Sequence, residues 1–489
     1  MKKRGLALAL ALSLCLGLLS GCQEKDTGVK LDSKNPVTIS IWHYYNGAQK
    51  AAFDQMVQEF NESVGMEQGI VVEAFNYGNV SQLIESVVNS ANNKVGTEPI
   101  PNIFAAYADT AYQIDKLDLV VDLGQYLTEE EIAQYIPSYI EEGRLGEDHA
   151  LKIFPTAKSS EVFIVNKTDW DKFAQDTGAS LDSLDTLEGL AKVAEQYYAW
   201  TDSLTPDIRE DGKAFFGRDA MANYFIIGCK QLGVEIFSVE NGEVSFQIDP
   251  SVMRRLWDNY YLPYINGYYG AYGRFRSDDV KVGDIIALVG STSSVTYFPD
   301  SVTINDQEPY SIEAAVLPTP AFEGGEPYAV QQGAGMVVTK STPEQEYASV
   351  VFLKWFTEAE RNIRFSAGSG YLPVKIAANE PEYFAAVVDE ALAGTNPPAK
   401  LTDTLKIALE AASVQKLYTN RAFEGGTDAR NVLENSMSRK AAEDAAKVQQ
   451  LVDTGMSRKE AAAQFDTDEN FESWLVSLQA ALAETQKGK

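Results

Sequence analysis

Val37-Thr38-Ile39-Ser40-Ile41-Trp42-His43 alternates apolar and polar side chains over its first five residues, the period-two pattern of a half-buried strand. The apolar set that follows, Phe53, Met56, Val57, Phe60 and Val64, recurs at helical spacing. Ile70 to Phe75 is a second β-rich run. Val80, Leu83, Ile84, Val87, Val88 and Ala91 mark a second helix, and Ile103 to Tyr107 a third strand. Strands alternating with helices predict a parallel, doubly wound α/β sheet. Ligands of such sheets collect at the carboxyl ends of strands, here Trp42-His43-Tyr44-Tyr45, Asn76-Tyr77-Gly78 and Tyr107-Ala108-Asp109. Aromatic faces beside a few hydrogen-bonding groups suit a polyol or sugar, whose C–H faces stack while its hydroxyls demand partners.

Upstream of this unit, Lys2, Lys3 and Arg4 precede an almost unbroken Leu/Ala run from Leu6 to Leu19, too short for a comfortable membrane span and of the length of a secretory signal. Leu19-Ser20-Gly21-Cys22 resembles the lipobox of bacterial lipoprotein precursors. Residues 1–21 are therefore expected to be a signal peptide and Cys22 a lipidated residue holding the protein to the extracytoplasmic face of the cell membrane. The polar stretch 22–36 reads as a flexible tether with a coil reach of roughly 20 Å.

Composition narrows the function. The 489 residues allow two or three domains, and the net charge of −29 argues against a nucleic-acid partner. Cys15 leaves with the signal and Cys22 carries lipid, so Cys229 has no mate for a bridge and reads as a small buried apolar residue. Only His43 and His149 are present, which speaks against a His-built metal site. No Gly-x-Ser-x-Gly elbow occurs, Gly212-Lys213 runs into Ala214 rather than completing a Walker loop, and Val338 breaks the dinucleotide pattern begun by Gly333 and Gly335. Neither an enzyme nor a cofactor is expected. The rival is an exported glycoside hydrolase, since two carboxylates suffice for that chemistry.

Further along, Phe154-Pro155 leads to Val162-Phe163-Ile164-Val165-Asn166-Lys167. Gly283-Asp284-Ile285-Ile286-Ala287-Leu288-Val289-Gly290-Ser291 follows, then Gly333-Ala334-Gly335-Met336-Val337-Val338, Phe352-Leu353-Lys354-Trp355-Phe356 and Ser369-Gly370-Tyr371-Leu372-Pro373-Val374. With the opening Ile-Ser-Ile-Trp-His, these segments resemble, in order, the extracellular solute-binding proteins of ABC importers, in the group that takes carbohydrates and glycerol phosphate compounds. The resemblance implies a type II periplasmic-binding-protein-like fold, two α/β lobes with doubly wound sheets joined by hinge strands. It places 37–154 plus 291–345 in the first lobe and 155–290 plus 346–489 in the second. It implies a solute partner, an ABC permease partner and action as a monomer.

Strand ends, the aromatic-rich stretch around Trp257 and the same resemblance together supply candidate ligand contacts. Trp42 either stacks on a sugar ring or caps the core, and His43 is a candidate donor. Tyr107 stands at a strand end, and Asp109 near an acidic position that holds ligand hydroxyls. Ser159, Ser160 and Glu161 match one crossing between lobes, and Ser291, Thr292 and Ser293 another. Gly333 and Gly335 would line the cleft, and Tyr371 would stack and donate at once. Arg421 falls roughly where glycerol-3-phosphate binders place an arginine, although Val80 stands where those relatives carry a Tyr. Trp257 and Tyr269 are divided between cleft and packing, while Tyr260, Tyr261 and Tyr264 read as packing. Beyond Leu401 the charged, Ala-rich sequence predicts amphipathic helices of the second lobe.

Overall fold

The computed structural model describes residues 25, 27–146, 148–240, 243–305, 307–391 and 399–487. The signal peptide and Cys22 lie outside the described residues. Two principal sheets are built from β1 (Val37–His43), β2 (Ile70–Asn76), β3 (Ile103–Ala106), β4 (Ile153–Phe154), β5 (Glu161–Asn166), β6 (Phe216–Arg218), β7 (Ala287–Ser291), β8 (Ala314–Pro318) and β9 (Gly335–Val338). The helices that matter most for the site are α1 (Gly47–Glu62), α2 (Val80–Ala91), α3 (Ala108–Asp115), α4 (Met221–Gln231), α5 (Pro250–Ile265), α6 (Pro343–Phe356), α7 (Ala359–Ser369), α8 (Gly426–Asp453) and α9 (Asp468–Glu484).

The first sheet has the order β2-β1-β3-β9-β4. Its β1, β2 and β3 run parallel, as the βαβαβ reading predicts, with Val37 opposite Ile70 and Ile41 opposite Ile103. β9 enters antiparallel between β3 and β4. The second sheet, β8-β5-β7-β6, is also mixed: β5 is antiparallel to both neighbours and only β7 and β6 run parallel. Period-two alternation divides β5 between two cores, Val162 and Ile164 facing one and Phe163 and Val165 the other.

The division of the chain differs from the sequence expectation. Residues 291–322 do not return to the first lobe: Val295, Phe298, Val302 and Val316 pack in a second-lobe core, and β8 pairs with β5. The return comes at Gly333. The chain then stays with the first lobe through α6, whose Phe352, Trp355 and Phe356 belong to the core containing Phe53 and Phe60. An apolar strand such as Ala314–Pro318 fits either sheet by composition, and only backbone pairing decides between them. The described tether residues, 25 and 27–36, also depart from a free coil: Leu31 packs against the first core, and Lys25 Nζ donates to the carbonyl of Gly124.

Among the described residues, three segments join the lobes. Ser159 N–H donates to Gln332 O at 2.8 Å, and Gln332 N–H returns a bond to Ser159 O at 3.0 Å. Lys158 exchanges the same pair of backbone bonds with Leu372. The joint is thus a small three-chain ladder. Helix α7 sits across it, with Phe365 in the first core and Ile363 and Ala367 in the second-lobe packing.

Candidate functional site

A cleft of about 570 Å³ lies between the lobes. One face of α2 and the turn into α3 form one wall, Gln331 and Gln332 of the hinge form its floor, and Asn420, Thr427, Arg430 and Asn431 form the other wall. These positions follow from local rules. Helix α2 starts at the Asn79 capping box, in which the Asn79 and Gln82 side chains satisfy one another's backbone N–H groups, so Val80, Ile84 and Val88 are presented along the groove. The chain turns from β3 directly into α3, which brings Tyr107 and Asp109 to the carboxyl end of the sheet.

The second wall is held by a polar chain. Arg430 donates to Asn420 Oδ1 at 3.0 Å and to Asn223 Oδ1 at 2.9 Å. Asn223 Nδ2 donates to Glu161 Oε1 at 2.9 Å and to Gln332 Oε1 at 3.0 Å. Glu161 completes the chain with Arg218 at 2.7 Å, a pair whose side chains are 7 % and 5 % exposed. Across the cleft the lobes meet through Lys116 and Glu424, and Asp109 lies so close to Gly426 that a Cβ there would collide with its carboxylate. Burial lifts the Asp109 carboxyl to about 6, against the opposing pull of Arg430 and the Phe423 N–H.

Of the candidates, Tyr107 and Asp109 reach this cleft, and Ser160 and Glu161 border a smaller cavity of about 30 Å³ beside it. Tyr107 keeps 36 % of its surface exposed. Its neighbour Tyr44, together with burial, raises its hydroxyl well above the usual tyrosine range. Tyr371 is 4 % exposed and stacks on Phe365 at 6.1 Å; its hydroxyl joins those of Tyr44 and Ser293 in a buried bridge between hinge and lobes. Ser291 and Ser293 share a hydroxyl–hydroxyl bond at 3.0 Å, and Thr292 is fully buried. Ser159 gives its backbone to the hinge ladder.

The remaining candidates pack rather than line the cleft. Trp42 is 5 % exposed and its ring lies 4.2 Å from that of Tyr77. His43 is wholly buried beside Phe53, and burial lowers its pKa to about 4, so it is a neutral core imidazole. Trp257 is stacked on Tyr261 at 3.6 Å in the second-lobe core, and Tyr269 is buried with it, because α5 is enclosed by α8 and α9. Gly335 is a buried β9 residue pressed on Ile153, and Gly333 adopts a φ of +93° where a Cβ would stand 2.9 Å from Ala157 O. Their missing side chains admit backbone, not ligand. Arg421 is exposed and outside the cleft lining; the guanidinium there is that of Arg430. The two amides before Gly333 were a legible signal for the floor, whereas nothing local distinguishes Arg430 from other helix-surface arginines.

Two α/β lobes, a three-chain hinge and a polar cleft between them define the architecture of a two-lobed ligand-binding protein. The chain belongs to the bacterial extracellular solute-binding proteins, whose family model matches residues 55–391. Among solved structures, the cyclic alpha-maltosyl-1,6-maltose binding protein of Arthrobacter globiformis is similar at 17 % identity and a TM-score of 0.64, over 93 % of this chain and 100 % of that one. UgpB of Mycobacterium tuberculosis in complex with glycerophosphocholine is similar at 16 % identity and 0.62, over 92 % and 99 %. The ABC substrate-binding protein Lmo0181 of Listeria monocytogenes, in complex with cycloalternan, gives 14 % and 0.63, over 92 % and 100 %. At these identities the likeness is one of fold, and it bears out the type II periplasmic-binding-protein-like class. Sequence comparison with curated proteins finds no match. Among the described residues, no helix is long and apolar enough to cross a membrane and no cluster of three or more His, Cys, Asp or Glu could hold a metal.

Proposed function

We propose that this protein is a membrane-tethered receptor that captures a carbohydrate-like solute between its lobes and delivers it to the permease of an ABC importer. The carrying observation is the cleft of about 570 Å³, lined by amides, hydroxyls, the carboxylates of Glu85, Asp109 and Glu142, the Arg430 guanidinium, the apolar Val80, Ile84 and Val88 and one exposed tyrosine ring, drawn from both lobes and the hinge. Side chains from both walls converge on one volume, so a solute bound there favours closure of the lobes. The structurally similar proteins named above in complex with cycloalternan and glycerophosphocholine support a small hydroxylated solute. The tether rests on Leu19-Ser20-Gly21-Cys22, which would keep the receptor beside its permease. The protein acts as a monomer and performs no chemistry on its solute.

The test is a thermal-shift panel of sugars, oligosaccharides, polyols and glycerol phosphodiesters against protein lacking residues 1–22, with product analysis of each mixture. A bound solute at a hundredfold excess over Kd stabilises by about 2.7 kcal/mol. Stabilisation without product is the expected result. Hydrolysis of an oligosaccharide would make the protein a glycosidase and defeat the receptor reading.

A further inference from the structure

Gln331 is 3 % exposed and forms part of the cleft floor. Its Nε2 donates to Ser138 O at 3.1 Å and to Glu142 Oε2, which fixes the nitrogen end of the amide between two acceptors. The opposite end, Oε1, is buried without a hydrogen-bond partner. On the first-lobe wall Asp109 Oδ1 is buried in the same condition. Among the described residues lining the cleft, these are the buried side-chain atoms that lack a partner, and both are acceptors. Buried acceptors in native proteins are normally satisfied, and for these two atoms the cleft is the place from which a donor can reach them.

Charge points the same way. The lining carries the carboxylates of Glu85, Asp109 and Glu142 against the single guanidinium of Arg430, and two of its nitrogens already serve Asn420 and Asn223. Lys158 neutralises Glu142 from inside the hinge. An incoming phosphate brings oxygens that accept, close to a carboxylate and an amide oxygen that also accept, with no uncommitted lysine in the lining to receive it.

We infer that Gln331 and Asp109 are specificity-determining residues of the cleft, each requiring a hydrogen-bond donor from the solute, so that it takes neutral or amine-bearing polyhydroxyl compounds and rejects phosphorylated ones. The inference rests on the receptor reading given above. It adds to that reading an exclusion and the two side chains that enforce it.

Matched pairs test it: maltose, glucose, glucosamine and glycerol against maltose 6′-phosphate, glucose 6-phosphate, glucosamine 6-phosphate and glycerol 3-phosphate, titrated calorimetrically into protein lacking residues 1–22 and into its Gln331→Met and Asp109→Leu variants. Unliganded melting curves establish that each variant is folded, and Gln331→Leu replaces Gln331→Met if that variant is not. Binding of an unphosphorylated member, weakened about 10- to 100-fold in each variant, with no binding of its phosphorylated counterpart, is the expected result. A phosphorylated member that binds the parent as well as its partner does, or an unphosphorylated one that binds both variants undiminished, overturns the inference and leaves the receptor reading standing. Failure of every member to bind the parent defeats both.

Discussion

Lys158 Nζ lies 2.8 Å from Glu142 Oε2 inside the hinge, with the two side chains only 3 % and 9 % exposed. The ammonium also donates to the carbonyl of Gly333 at 2.7 Å, tying two of the three crossing segments together. A buried pair of this kind gains little over apolar residues of the same shape, yet removing one partner strands the other charge. Lys158→Met is expected to destabilise the protein by about 3–5 kcal/mol, and Lys158→Met with Glu142→Gln by much less. Denaturant titration of the two variants measures the difference.

Trp257 and Tyr107 are both aromatic candidates, and the structure separates them. Trp257→Ala opens the second-lobe core and is expected to cost about 3–5 kcal/mol of stability. Tyr107→Ala removes a partly exposed ring and one hydroxyl partner of Tyr44, for a stability loss of about 1 kcal/mol. Solute affinity is expected to fall in the Tyr107 variant and to hold in folded Trp257 protein. Paired melting and binding measurements check both halves.

His43 gives the protein an acid sensitivity of defined sign. Its folded pKa, lowered to about 4 chiefly by burial, sits below the unfolded value of 6.5, with Asp54 pulling up and Lys50 pushing down. The unfolded state therefore binds the extra proton as pH falls from 6.5 to 4, and the stability present above 6.5 is lost across that window. At 1.36 kcal/mol per unit the loss is about 3 kcal/mol. Asp109 and Asp219, each raised to about 6 with burial as the main cause, act in the opposite direction as they protonate. From pH 7 to pH 4 the parent is expected to lose about 3 kcal/mol of stability relative to His43→Gln, whatever the common contribution of the two aspartates.

Gly333→Ala is expected to weaken the hinge without touching the cleft lining. The added Cβ would stand 2.9 Å from Ala157 O and 3.0 Å from Ser159 N, on a backbone whose φ of +93° disfavours any L side chain. A loss of about 2 kcal/mol is expected. Hydrogen exchange should concentrate the added opening at Ser159 and Gln332, and an unchanged exchange pattern would remove the hinge role assigned to this glycine.

The legible part of this chain was the part written in local periodicity. The repeat of Phe53, Met56, Val57 and Phe60 predicted α1, and the capped run from Val80 to Ala91 predicted α2; both are present. The strand ends were legible for the same reason, and one of them delivers Tyr107 and Asp109 to the cleft. Trp42, His43 and Trp257 were not, because an aromatic at a strand end or on a helix carries the same sequence signal whether its face meets solvent or a neighbouring ring. The Gly333-Ala334-Gly335 motif pointed to the cleft lining, whereas the structure sets Ala157 and Phe154 backbone against its two glycines.

By itself, then, the sequence determined the α/β class, the order of the opening strands and helices, and the places where a cleft could form, since each depends on patterns within ten or twenty residues. The tertiary structure alone decided that the chain returns to the first lobe at Gly333 rather than at Ser291, and that Arg430 and Asn420 rather than Arg421 line the wall opposite Asp109, with Gln331 in the floor. Those outcomes rest on backbone ladders and buried polar chains between segments remote in sequence, such as Ser159 with Gln332 and Asn223 with Arg430, whose partners no local pattern encodes.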